Sequence, residues 1–235
     1  MKQWISLELR RTRLAPWLRG TVLLAGVALC FWYLMAFLPR MDPTDQDGAL
    51  FSSYPFLIGI NDTVCTAMFG ILGAALGARV VVAEYRGSQA LLLFSYPVPR
   101  RQILCAKLLL TAGYTAAAMF VSGLAVQGVF FGTAALFPIC AAPPTAGDLG
   151  LALLALACCS LLAGLTAVPA VWVGLRRRSG AAAVVASVVL VCLLCQLLPL
   201  TYGRPALLAG CLFFFAVPAA LAAADLIHTI ESMEV

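Results

Sequence analysis

Long uncharged stretches alternate with short charged ones along this chain. Six stretches stand out: 20–39, 63–78, 108–147, 149–175, 179–203 and 205–224. A helix needs roughly 20 mostly apolar residues to cross a hydrocarbon core of about 30 Å, so each reads as a membrane span. The second is short and is expected to borrow from the apolar residues before Asn61 or from Val80 to Ala83. The third is long enough for two spans. However, Gly132, Pro138, Pro143, Pro144 and Gly147 mark its second half as a turn-rich loop. The pattern predicts an all-α, polytopic membrane protein of six helices, forming a single transmembrane domain over residues 1–235.

The charges orient the spans. Lys2, Arg10, Arg11, Arg13 and Arg19 precede the first. Arg79, Arg86, Arg100, Arg101 and Lys107 lie between the second and third, and Arg176, Arg177 and Arg178 between the fourth and fifth. Thirteen of the 15 basic residues thus fall on one side, and basic loops face the cytoplasm. Both termini are expected there, in a cell membrane. The other side carries Arg40 and Arg204 with Asp42, Asp45, Asp47, Asp62 and Asp148, and a formal glycosylation sequon, Asn61-Asp62-Thr63. The first apolar stretch is longer than a signal-peptide core and lacks a small-x-small cleavage site, so it reads as a retained span.

Composition narrows the function. Apolar residues make up 63% of the chain and charged residues 11%, against about 25% charged in a soluble domain. A soluble globule is therefore a poor reading. The net charge of +5 follows from the sidedness of the loops and gives no reason to expect a nucleic-acid partner. Neither lysine, Lys2 or Lys107, sits in a Gly-rich phosphate loop, and the single histidine, His228, cannot build a multi-histidine metal site. The chain is expected to be no enzyme, with no catalytic residue, metal or cofactor of its own. The six windows contain no ionisable residue, which argues against an ion-coupled carrier and for an external source of energy.

Other features admit structural and functional readings. Cys192 and Cys195 form a C-x-x-C that could serve thiol redox or soft-metal chemistry. Set in an apolar span without a basic neighbour, they read better as small hydrophobes, as do the other scattered cysteines. Gln127 and Gln196 could line a substrate path or bond to neighbouring helices. Gly73 with Gly77, and Gly128 with Gly132, have the spacing of close helix packing. Pro169 and Pro218 are expected to kink the fourth and sixth spans.

The most informative stretch is 84–101, after the second span. It runs from Glu84 and Gly87 through the apolar Leu91, Leu92, Leu93 and Phe94 to Tyr96-Pro97-Val98-Pro99-Arg100-Arg101. Too short to span, it reads as a surface helix stopped by prolines and pinned by arginines. This pattern, continued by Ile103 and Lys107, resembles the permease subunits of ABC-type exporters. The relevant class has a small six-span permease with its ATPase on a separate chain, and includes drug, antimicrobial-peptide and lantibiotic-immunity exporters. The arm 1–19, with Trp4, Ile5, Leu7 and Leu9 among arginines, resembles that family's interfacial helix. Within the cytoplasmic tail 225–235, Ile227 to Val235 resembles its short acidic C-terminus.

The resemblance implies that Glu84, Gly87, Leu91, Pro97, Arg100 and Arg101 form a coupling helix docked on the ATPase. It further implies ATP and magnesium on that partner, a second permease copy as homodimer or heterodimer, and a bacterial source. The function implied is export of an amphipathic or hydrophobic drug, peptide or lipid. Two alternatives stand beside it: a membrane thiol-redox or soft-metal protein built on Cys192 and Cys195, and a non-transporting membrane adaptor subunit.

Overall fold

A computed structural model of the chain describes residues 15–41, 53–84, 100–136, 145–201 and 204–232. Six long helices occupy them: α1 (Ala15–Met41), α2 (Tyr54–Gly77), α3 (Arg100–Leu136), α4 (Ala146–Arg176), α5 (Gly180–Leu197) and α6 (Pro205–Ser232). A π-helical turn, Ala78–Val82, extends α2, and a 3₁₀ turn, Leu198–Thr201, extends α5. All six are long and apolar enough to cross a membrane. The short second stretch does borrow, and from both directions, since its helical run covers Tyr54–Val82. The 108–147 stretch yields one span, with α3 starting eight residues earlier than its apolar window.

Local sequence explains several helix ends. Pro55 lies in the first turn of α2, where a missing N–H costs nothing. Thr145 and Asp148 close a reciprocal capping box on α4, with the Thr145 amide donating to Asp148 Oδ2 at 3.0 Å. At the other end of α4, Arg178 takes a positive φ of 48°. This lets the Arg178 and Ser179 amides bond back to Leu175 and Gly174 at 3.0 Å each, finishing the helix before α5 turns away.

α4 is the central helix, packed against α2, α3, α5 and α6. Glycines permit the closest approaches. A Cβ on Gly164 would stand 2.7 Å from the Ala112 carbonyl oxygen of α3. One on Gly73 would strike Thr115 of α3, and one on Gly77 would strike Val171 of α4, so this expected pair packs as predicted, but against two helices. Gly128 and Gly132 do not: a Cβ on either would meet nothing within 4 Å. They lie on the exposed face of α3, and the tight contact nearby belongs to Gly123, against Leu156. Pro169 and Pro218 both lie inside uninterrupted helices.

Three apolar layers stack along the bundle. One end gathers Trp17, Val80, Val81, Leu104, Leu108, Val171, Leu175 and Leu226. The middle contains Phe69, Met119, Leu162, Leu194 and Phe215. The far end gathers Trp32, Tyr54, Leu57, Ile58, Phe130, Phe131 and Ala152. Successive helices thus alternate in direction. Arg79, Arg101, Lys107 and Arg176–Arg178 belong to the first end, called the basic end below. Broad apolar faces remain outside, including Val22 and Leu23 on α1, Val185 and Val189 on α5, and Phe213 and Phe214 on α6, as expected of helices solvated by lipid.

Candidate functional site

At the basic end, α2 leaves the bundle through a change of helical winding. After Gly77 the chain shifts to π-helical bonding over Ala78–Val82, closed by the Ala83 amide on the Ala78 carbonyl at 2.9 Å. Single π-turns in α-helices free carbonyls from their usual partners. The Val80 carbonyl finds one in Lys107 of α3, whose Nζ donates to it at 3.3 Å. The same Nζ lies 2.6 Å from Glu84 Oε2. Lys107 is fully buried, whereas Glu84 is partly exposed.

Lys107 thus ties the last residue of the α2 exit to the first turns of α3. The segment joining the two helices is anchored at both sides of its base. A lysine buried this deeply needs such a pair, because an uncompensated ammonium in apolar surroundings is strongly unfavourable.

A second polar cluster closes the same end between α4 and α6. Asp225 accepts from Trp172 Nε1 at 2.6 Å and from Arg176 at 2.9 Å. The Arg176 guanidinium also sits 4.7 Å above the Trp172 ring. This contact is largely solvent-exposed, so it orients the helix ends more than it stabilises the bundle.

Of the residues expected to couple to an ATPase, Glu84 lies at the anchored base. Arg100 and Arg101 are the first two residues of α3. Gly87, Leu91 and Pro97 lie outside the described residues, as do most of the N-terminal arm, the end of the tail, the loop carrying Asp42, Asp45 and Asp47, and Pro138, Pro143 and Pro144.

The two glutamines are not brought together. Gln127 is buried and donates to the Ala152 carbonyl of α4 at 3.3 Å. Gln196 is exposed on α5. Cys192 is exposed and Cys195 half-buried, both as free thiols.

The sequence reading misplaced Asp62. It served as a span boundary and an outer-loop charge, and the sequon beside it was assigned to the outer side. In the fold, α2 begins at Tyr54, so Asn61, Asp62 and Thr63 lie in its third turn. They are 1%, 2% and 8% exposed. Asn61 is therefore no accessible glycosylation site. The expectation that the spans contain no ionisable residue fails here, and with it one argument for an external energy source.

A charge in the sequence does not by itself mark the end of a span. A carboxylate costs about 2.5–3.5 kcal/mol at a span centre, yet it is tolerated where it faces protein rather than lipid. Asp62 faces a narrow cleft lined by Ile58, Thr63, Cys159, Thr201 and Arg204.

Comparison with known proteins agrees with this architecture. Residues 8–196 match the family model of "ABC-2 family transporter protein". A Bacillus subtilis (strain 168) relative, named "Uncharacterized protein YcbO", is 26% identical over 195 residues, covering 83% of this chain and 84% of its own length. No solved structure matches the chain. With the match running from the N-terminal arm through five of the six helices, this six-span chain belongs to the ABC-2 family of transporter proteins.

Proposed function

We propose that this chain is the permease subunit of an ATP-driven exporter, moved by a separate ATPase that engages the segment between α2 and α3. The observation that carries the reading is the Glu84–Lys107 contact of 2.6 Å at the base of that segment, with Lys107 fully buried. A segment that transmits force needs a base that does not give way. Here a buried lysine, paired with Glu84 and bonded to the π-turn carbonyl, joins it to two spans at once.

A push on residues 85–99 would reach α2 and α3 together, and α2 carries it to α4 and α5. A two-state bundle biased by differential contacts requires such a rigid input.

In this reading the basic end faces the cytoplasm, following the excess of arginine and lysine there. ATP and magnesium bind on the partner. Two permease copies, identical or related, pair to form the pathway. An amphipathic or hydrophobic drug, peptide or lipid is the cargo, in keeping with the wide apolar faces of α1, α5 and α6.

The test is purification of the full chain from its native membrane, followed by identification of bound subunits and an assay of ATP hydrolysis. A co-purifying ATP-binding subunit whose hydrolysis depends on the permease supports the reading. A permease that comes away without one, or an ATPase indifferent to it, contradicts the reading.

A further inference from the structure

Asp62 is 2% exposed, and its Oδ2 is a buried atom without a hydrogen-bond partner. Gln127 approaches the same carboxyl as a donor, and Asp62 itself lines a cleft. That cleft runs between α2, α4 and the start of α6, at the far end of the bundle. Its cavity volume of about 30 Å³ exceeds the roughly 10–15 Å³ that a single water requires. It is too small for a drug-sized molecule, but it suits one small ion or one charged end of something larger.

The walls define the ligand's chemistry. Ile58, Leu151, Leu154, Pro205 and Leu208 are apolar and do not screen a charge. The Thr63 and Thr201 hydroxyls donate to the Gly59 and Leu198 carbonyls at 2.8 and 2.6 Å. A hydroxyl whose hydrogen is engaged in this way can only accept from a third group. Asp62 and Thr201 thus bring acceptor oxygens to residues that line one cleft. A single carboxylate balances a single positive charge, and a set of hard oxygens suits an ammonium or an alkali-metal ion. Arg204 stands on the same cleft and is exposed, so its guanidinium is a competing cation within the protein.

We propose that Asp62 is the floor of a binding site for a small monocation at the far end of the bundle. The bound species is either an alkali-metal ion or the terminal ammonium of a larger amphipathic molecule whose apolar part remains outside the cleft. Binding here does not depend on the ATPase, so the site can be tested apart from the coupling proposal.

The purified full chain in lipid nanodiscs is titrated with sodium, potassium or methylammonium chloride, with choline chloride holding ionic strength constant, while thermal unfolding is followed. The expected result is a saturable rise in Tm with at least one of the three. That rise is lost in Asp62→Asn, and its midpoint moves several-fold lower in Arg204→Gln. A response to sodium or potassium alone identifies a free ion. A response to methylammonium identifies an amine head.

A second measurement covers the case in which Asp62→Asn does not fold. Cys159 lines the cleft, so its modification by methyl methanethiosulfonate, read by peptide mapping, should slow several-fold in the wild type when the cation is bound. The proposal is overturned if the folded wild type shows no cation-specific rise in Tm, if Asp62→Asn keeps the full rise, or if the effective cation leaves Cys159 modification unchanged.

Discussion

The two ends of the bundle treat their polar groups in opposite ways. At the basic end, Lys107, Glu84, Trp172, Arg176 and Asp225 are joined by short contacts, and a π-turn carbonyl is answered by a lysine from the next helix. Toward the far end lie Trp32 Nε1, Asn61 Oδ1 and Asp62 Oδ2, the three side-chain atoms among the described residues that are buried without a hydrogen-bond partner. Proteins rarely leave such groups unanswered, because each costs about 1–3 kcal/mol. The contrast sets an end whose polar groups hold one another against an end where some are left unanswered. A satisfied network resists deformation and suits transmission. An unsatisfied carboxylate facing a cleft suits a ligand that comes and goes.

Substitutions can break or sharpen this contrast. The largest effect is expected from Lys107→Ala, which removes the ion pair to Glu84 and the bond to the Val80 carbonyl. Removing one partner of a fully buried pair costs about 3–5 kcal/mol. Because Glu84 is partly exposed, about 2–3 kcal/mol is expected here, read as a large fall in Tm in nanodiscs. Next, Asp62→Asn at the far end should leave the cation-free protein as stable as the wild type or more stable by at most about 1 kcal/mol, because Oδ2 makes no hydrogen bond that an amide of equal size would lose. A fall in Tm without added cation would mean that Asp62 is structurally paired.

Smaller effects follow at the helix ends. Thr145→Ala opens the capping box of α4 and should cost about 1 kcal/mol, measured as a modest loss in Tm. Arg178→Gly relieves a left-handed residue and should gain about 0.5–1 kcal/mol. Replacing Cys192 and Cys195 together by Ser should leave ATP hydrolysis and flux unchanged. A loss would favour thiol chemistry over transport.

Six spans were legible in the sequence because a membrane helix announces itself by length and hydropathy alone. Their alternation was legible because arginine and lysine cluster at alternate ends. The anchoring role of Lys107 was only half visible. It was counted as a basic loop charge, and neither its burial nor the π-turn that it answers leaves a local signal. Asp62 was misread for a related reason, since a charge inside a span and a charge at its end look alike without knowledge of the neighbouring helices. Close packing was readable at Gly73 and Gly77 but not at Gly128 and Gly132, where the same spacing falls on an outward face. A spacing motif fixes which residues share a helix face, not what that face meets.

The central question is whether force enters at the basic end. The direct measurement is ATP-driven flux by the assembled complex carrying Gly87→Pro and Arg100→Glu in the segment between α2 and α3, beside the wild type. Loss of flux, with the permease still folded and still spanning the membrane, is the predicted result. Assembly and ATP-driven flux equal to the wild type would contradict it.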